Sequence, residues 1–195
     1  MKKLLFIDCC LRGKESRTKQ IADVFLDNVS GYEIETISLS DEAASGRLKP
    51  NLGADADRRN ELLESGDMTD PMFDYAKQFA AADRIVCAAP FWDLSFPAVF
   101  KIYCEQLAVC GITFRYEGEK SVGMCRAEKA MYISTVGGYA GLIDQGEEYA
   151  KALFEMFGIK DFDAIRAEGL DIWGADVDGI MKVKAGEGEM KAKNF

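Results

Sequence analysis

The sequence contains no histidine. This absence excludes a Ser-His or Cys-His catalytic pair, and it excludes zinc held by imidazole ligands. The six cysteines stand at positions 9, 10, 87, 104, 110 and 125, and no two have the Cys-x-x-Cys spacing. A zinc ribbon, an iron–sulfur cluster and a thioredoxin-type dithiol are therefore not expected. We predict no metal site and six reduced thiols, most of them buried as small apolar side chains.

Basic residues and long apolar runs are also scarce. The 195 residues include 24 basic and 33 acidic side chains, a net charge of −9, whereas a nucleic-acid binder needs a basic face. No run approaches the roughly 20 apolar residues that span a bilayer, and the apolar stretch before Asp8 is too short for a signal peptide. We expect a cytoplasmic protein with neither a nucleic-acid nor a membrane partner. The length and the 48% hydrophobic content fit one globular domain over residues 1–195.

Short apolar segments alternate with stretches of helical periodicity along the chain. The segments predict strands at residues 4–7, 34–39, 84–89, 129–135 and 161–167. Helices are expected after residue 17, from Asp70-Pro71, from Pro97 to Cys110, around 149–157 and over about 176–191, with one more near 55–65 inside a polar excursion, 41–67. A short hairpin follows residue 112, and the lysine-rich end, 182–195, is expected to be solvated. Strands that alternate with helices predict an α/β fold, a parallel sheet with helices on both faces.

Ligands of open α/β sheets bind beyond the carboxyl ends of the strands. The first loop at this edge ends in Ser16-Arg17-Thr18, where two hydroxyls and free backbone N–H groups could hold a phosphate. Residues 12–19 carry a net charge of +3, which favours an anion. Alternatively, Ser16 only caps a helix and the basic side chains are solvated.

The same loop lacks the motifs of larger nucleotide sites. There is neither Gly-x-Gly-x-x-Gly nor Gly-Lys-Ser/Thr, so a dinucleotide or nucleoside-triphosphate site is unsupported and a mononucleotide is compatible. A cysteine phosphatase, with its Cys-x5-Arg-Ser/Thr loop, is an alternative. Arg17 follows Cys10 by seven positions and Cys9 by eight, so the spacing that would ring a phosphate with N–H groups is missing.

Two further loops should reach the same edge of the sheet. Phe91-Trp92-Asp93-Leu94 lies between two prolines, and exposed aromatics there would need a flat ligand to cover them. The alternative is that they pack beneath a neighbouring loop. In Thr135-Val136-Gly137-Gly138 the paired glycines permit close approach of a ligand, although they also suit a plain turn.

Together these motifs resemble the FMN-dependent NAD(P)H:quinone oxidoreductases and azoreductases, from Lys3 to about Gly169. Ser16-Arg17-Thr18 resembles the family's Ser-x-Ser phosphate site, and residues 89–94 resemble its Ala-Pro-Met-Tyr-Asn-Phe flavin loop. Residues 97–101 and 111–116 are close to a family signature, and Thr135-Val136-Gly137-Gly138 resembles its Ser-Arg-Gly-Gly.

The resemblance implies a flavodoxin-like three-layer sandwich with strand order 2-1-3-4-5. It implies bound FMN, with the phosphate on Ser16, Arg17 and Thr18 and with Cys10 where the family often has a serine. The isoalloxazine ring would lie along Phe91, Trp92, Asp93 and Leu94. Its pyrimidine edge would lie near Gly137 and Gly138, in the Thr135–Val136–Gly137–Gly138 segment.

The family's chemistry is a hydride transfer from NADH or NADPH to the flavin, followed by two-electron reduction of a quinone, azo or similar small aromatic acceptor in a ping-pong scheme. The flavin carries that chemistry, so no catalytic side chain is required. The family is typically homodimeric, with the flavin near the interface.

Three positions depart from the family pattern. Cys10 offers a weaker donor than serine. Asp93 replaces an asparagine and Val136 replaces an arginine, so both changes remove positive character around the ring and bear on reduction potential and substrate preference.

Three other functions stay open at this level. One is an NADPH-dependent FMN reductase-like enzyme, and another is a flavodoxin-like electron carrier without its own substrate. The third is a flavin-free protein of this fold that only binds a partner. The excursion at 41–67 and the hairpin favour an enzyme, because a carrier need not enclose a substrate.

Overall fold

A five-stranded parallel sheet forms the centre of the computed structural model, which describes residues 1–141 and 144–195. The strands in chain order are β1 (Lys2–Asp8), β2 (Tyr32–Ser38), β3 (Arg84–Ala88), β4 (Phe114–Glu117), β5 (Lys120–Gly123), β6 (Lys129–Thr135) and β7 (Asp161–Ala167). The central sheet has the order β2-β1-β3-β6-β7, while β4 and β5 form a separate antiparallel hairpin. Both the hairpin and the order 2-1-3-4-5 within the central sheet are confirmed.

Seven α-helices surround the sheet in the described residues. They are α1 (Arg17–Asn28), α2 (Leu39–Ala44), α3 (Ala54–Ser65), α4 (Asp74–Ala81), α5 (Ala98–Leu107), α6 (Gln145–Met156) and α7 (Val177–Ala192). None of the helices in the part of the chain described here is long and apolar enough to cross a membrane.

The apolar run of β1 shows why the layers form. Leu4 and Phe6 pack with the helices on one face, α1 and α7. Leu5 and Ile7 pack on the other face with residues of α4, α5 and α6. Side chains of a strand alternate between the two faces of its sheet, so a strand covered by helices on both sides is apolar throughout.

Several element boundaries differ from the sequence prediction. The helix expected near 55–65 is present as α3, but α2 was not predicted. Helix α5 ends at Leu107, so Cys110 does not continue its apolar stripe and is exposed. Four of the six cysteines are buried and all six are unpaired, which confirms the prediction of free, mostly buried thiols.

The expectation of a solvated chain end is wrong. Ala192 is 3% exposed and Phe195 is 8% exposed, and the Phe195 ring lies 5.1 Å from that of Phe25, edge to face. Helix α7 packs against α1 with Gly188 at the contact. A Cβ built on Gly188 would lie 3.7 Å from the Ile21 carbonyl oxygen. Lysine composition alone misled the prediction, because the lysines share this end of the chain with apolar residues that face the core.

Candidate functional site at the carboxyl edge of the sheet

The first loop delivers a set of hydrogen-bond donors to the start of α1. Ser16 caps the helix, and its hydroxyl oxygen accepts the N–H of Lys19 at 3.4 Å. The hydroxyl proton stays available to another acceptor. In the described residues the backbone N–H groups of Arg17 and Thr18 have no acceptor. A helix N-terminus with free N–H groups and a serine hydroxyl is a donor set suited to an anion.

The second loop is a tight turn with an unusual backbone. Trp92 and Ser95 exchange two backbone hydrogen bonds, of 3.0 and 2.8 Å. Asp93 and Leu94 between them have φ values of 49° and 70°, as in a type I′ turn, which favours Asn-Gly. A leucine at positive φ is strained, and such strain concentrates at functional sites.

This turn projects apolar surface into solvent. Trp92 is 44% exposed and Leu94 is 52% exposed. By contrast, Phe96 packs edge to face on Phe100, with ring centroids 4.7 Å apart. The alternative in which the loop aromatics pack beneath a neighbouring loop is therefore wrong for the exposed Trp92, and Phe96 packs instead against helices α5 and α6.

The third loop is hydrogen-bonded to the segment that follows β7. The N–H of Asp171 donates to the Gly137 carbonyl at 2.8 Å, and the N–H of Gly169 donates to the Gly138 carbonyl at 2.6 Å. A Cβ on Gly137 would lie 2.3 Å from the Oδ2 atom of Asp171. A side chain at position 137 would therefore displace the Asp171 carboxylate, a close neighbour that the sequence did not indicate, whereas a Cβ on Gly138 would meet open space.

These loops meet around one pocket, which confirms the predicted convergence. The pocket has a volume of about 150 Å³, and its lining residues are Leu11, Arg12, Ser16, Arg17, Pro90, Phe91, Trp92, Thr135, Gly137 and Asp171. This volume is below the 300–1,000 Å³ common for small-molecule sites. A ligand of mononucleotide size would therefore extend beyond the pocket along the exposed Trp92–Ser95 turn.

Several predicted site residues lie near the pocket but do not line it. Thr18 is fully buried, and its hydroxyl pairs with that of Thr135 at 2.6 Å. The Cys10 thiol is 4% exposed and donates to the Ala88 carbonyl at 3.6 Å. Val136 is 3% exposed. None of these three side chains lines the pocket, and the N–H groups of Cys10 and Val136 already donate within the protein. Ser16 and Arg17, by contrast, are lining residues.

The buried thiols are unsuited to nucleophilic chemistry. Burial, with the neighbouring charge of Asp8, raises the pKa of Cys10 to about 12. Burial also raises the pKa of Cys9 well above its ordinary value. Both thiols are therefore protonated at neutral pH, and the cysteine-phosphatase alternative lacks its thiolate.

The positive charge of the first loop is largely paired. Arg17 donates to Asp171 Oδ1 at 2.7 Å and to the Leu170 carbonyl at 2.8 Å, and Lys19 pairs with Asp23. The net charge of +3 counted over residues 12–19 overstated the local field, because Asp23 and Asp171 lie outside that segment. Asp171 is 154 residues from Arg17, and no local pattern marks it.

Helix α6 supports the Trp92–Ser95 turn from behind. The N–H of Gln145 donates to the Leu94 carbonyl at 3.1 Å. A Cβ on Gly146 would lie 3.0 Å from the carbonyl carbon of Ser95 and 3.1 Å from a ring carbon of Phe96. Asp144 is 5% exposed and accepts the N–H groups of Gly146 and Glu147. Sequence reasoning missed this support.

Comparison with known proteins agrees with the architecture. A family model described as the flavodoxin-like fold matches residues 2–187. The chain therefore belongs to this flavodoxin-like family. Among its relatives are "FMN-dependent NADH:quinone oxidoreductase 2" of Clostridium acetobutylicum, 36% identical, and "FMN-dependent NADH:quinone oxidoreductase" of Clostridium beijerinckii, 38% identical; each match covers 100% of both chains.

Solved structures share the fold at lower identity. An azoreductase from Bacillus anthracis superposes with a TM-score of 0.86 at 23% identity, covering 100% of both chains. An FMN-dependent NADH-azoreductase from the same species, solved in complex with FMN, has a TM-score of 0.84 at 22% identity and covers 100% of this chain and 99% of its own. At these identities the likeness establishes the fold alone.

Proposed function

We propose that this protein is an enzyme, an FMN-dependent oxidoreductase that passes two electrons from NADH or NADPH to a quinone, azo or similar small aromatic acceptor. The single observation that carries the proposal is a pocket lined on one side by the hydrogen-bond donors of Ser16 and Arg17 and on the other by Phe91 and the exposed Trp92. The names of the full-length clostridial relatives support the same activity.

The residues at this edge fit the parts of FMN. The Ser16 hydroxyl, the free N–H groups of Arg17 and Thr18 and the Arg17 guanidinium suit a phosphate dianion. The Phe91–Leu94 segment offers an apolar surface for a planar ring, with backbone N–H and C=O groups of the turn beside it. The exposed backbone of Gly138 has room for the polar edge of that ring, since nothing lies within 4 Å of its Cβ position.

The chain's contribution to the reaction is binding and orientation. When bound, FMN supplies the chemistry by accepting a hydride from the reduced nicotinamide and returning two electrons to the acceptor. The Trp92–Ser95 turn would hold the ring at a fixed tilt, because two backbone hydrogen bonds close it and α6 packs behind it. The exposed Trp92 side chain would cover one border of the ring and keep water from it.

The absorption spectrum of the purified protein reconstituted with FMN is the first test. We expect a bound-flavin spectrum that bleaches when NADH is added without oxygen and recovers when a quinone is added. Catalytic NADH oxidation that depends on the quinone distinguishes the enzyme from an electron carrier. A protein that binds no flavin, or one whose flavin is not reduced by NADH or NADPH, would contradict the proposal.

We also propose a ping-pong order, in which donor and acceptor use the same open face of the flavin in turn. Double-reciprocal plots at several fixed quinone concentrations should then be parallel. Lines that intersect would instead indicate a complex holding both substrates. The same assay with NADH and with NADPH establishes the donor preference.

A homodimer is part of this proposal. Trp92, Leu94 and Tyr139 are exposed at the flavin edge, Tyr139 to 75%, and Trp173 is 99% exposed on the loop that carries Asp171. Apolar groups so exposed commonly mark an interface. Light scattering coupled to gel filtration should give twice the chain mass of 21.6 kDa, and a monomer would contradict the dimer. The unpaired cysteines suit a reducing compartment, so we place the reaction in the cytoplasm.

A further inference from the structure

Asp171 brings a negative charge into a pocket that the proposed function assigns to a phosphate dianion. Its carboxylate lines the pocket together with Ser16 and Arg17. One of its oxygens accepts from the Arg17 guanidinium at 2.7 Å, and the other lies against Gly137. The Asp171 side chain is 67% exposed and that of Arg17 is 30% exposed, so solvent screens the carboxylate in part and its effect on a bound anion depends on salt.

The Arg17 guanidinium is thus already engaged by the protein. It donates to Asp171 and to the Leu170 carbonyl, which leaves three of its five N–H groups free. Arg17 can still donate to a phosphate oxygen, but its positive charge is balanced by Asp171. A phosphate at the start of α1 would meet the free N–H groups of the helix, Arg12 at the pocket wall and an Arg17–Asp171 pair without net charge.

We propose that Asp171 is a specificity-determining residue that weakens the binding of the FMN phosphate by neutralising Arg17. The proposal rests on the FMN function proposed above. Asp171 holds Arg17 in the pocket and also repels the dianion, so it lowers the affinity for FMN relative to riboflavin, which lacks the phosphate. FMN therefore exchanges more readily, because Asp171 cancels part of the electrostatic attraction between the site and the FMN phosphate.

The variant Asp171→Asn separates these two effects. The asparagine amide keeps an oxygen that accepts from Arg17, so Arg17 stays in position while the charge is removed. We expect the dissociation constant for FMN to fall about fivefold, and that for riboflavin to change less than about twofold. The gain in FMN affinity should shrink as salt is added, since screening removes a charge effect.

Asp178→Asn is the matched control. Asp178 is exposed in the first turn of α7, and it does not line the pocket. Its variant removes the same charge from the same end of the chain, so neither dissociation constant should change.

The experiment titrates flavin-free protein with FMN and with riboflavin and follows the quenching of flavin fluorescence. Tighter FMN binding with unchanged riboflavin binding supports the proposal. Weaker FMN binding, or an equal change for both flavins, would overturn it, and the first of these outcomes would mean that Asp171 mainly positions Arg17. Failure of the proposed function is distinguishable, since the unaltered protein would then bind neither flavin.

Discussion

The contact between α6 and the Trp92–Ser95 turn can be tested by adding a single methyl group. In Gly146→Ala the new Cβ would lie 3.0 Å from the Ser95 carbonyl carbon and 3.1 Å from Phe96. One of these neighbours is backbone, so the turn or the helix must move by a few tenths of an ångström. Overpacking of this kind costs about 1–3 kcal/mol, against the at most about 1 kcal/mol by which alanine improves a helix over glycine.

Gly186→Ala is a control of the same chemistry. Gly186 lies inside α7, is exposed, and has no atom within 4 Å of its Cβ position. This variant should gain about 0.5–1 kcal/mol, which raises Tm by roughly 1–4 °C in a chain of this size. Gly146→Ala should instead lower Tm by a few degrees.

The two variants should also differ in flavin binding. The moved turn is the proposed support of the flavin ring, so we expect Gly146→Ala to bind FMN about tenfold more weakly, a loss of about 1.4 kcal/mol. Gly186→Ala should bind FMN as the unaltered protein does. Thermal unfolding of the flavin-free protein and fluorescence titration give both quantities. If Gly146→Ala were stabilised as much as Gly186→Ala and bound FMN normally, the helix would not support the turn and the reasoning would be refuted.

Three further predictions concern the proposed flavin site. Ser16→Ala should weaken FMN binding by about 1.5–3 kcal/mol, the contribution of a hydrogen bond to a charged group. The control Ser38→Ala removes the equivalent cap of α2 and should lower stability only. If both variants bound FMN with equal affinity, the phosphate would not lie at Ser16. Cys9→Ala and Cys10→Ala should each keep quinone-dependent NADH oxidation per bound flavin within a few-fold of the rate of the unaltered protein, because both thiols are buried and protonated. Loss of turnover with FMN still bound would reveal a thiol in the mechanism. Asp93→Asn should raise the two-electron potential of bound FMN by up to about 30 mV, the equivalent of about 1.4 kcal/mol of relieved repulsion. Because the Asp93 carboxylate is exposed, solvent screening should keep the change below that value. A redox titration that finds no change would mean that Asp93 is remote from the ring.

The sequence by itself determined the layered architecture and the edge at which a ligand would bind. The apolar run Leu4–Ile7 must be covered on both faces of its sheet. Because strands and helices also alternate along the chain, few folds other than a parallel sheet between two layers of helices remain. Ser16-Arg17-Thr18 follows the first strand, so its place beyond the carboxyl end of β1 follows from chain direction. These features are local or periodic, which is why they can be read along the chain.

Only the tertiary structure decided which atoms face the pocket. Thr18 looked equivalent to Ser16, but Ser16 is the cap before α1 whereas Thr18 lies two residues further on, inside the helix, and the Thr18 hydroxyl meets Thr135 inside the protein. Arg17 is paired with Asp171, and the Trp92–Ser95 turn packs against Gly146 of α6. Such pairings come from segments distant in sequence, and packing alone brings them together, so no spacing or composition along the chain encodes them.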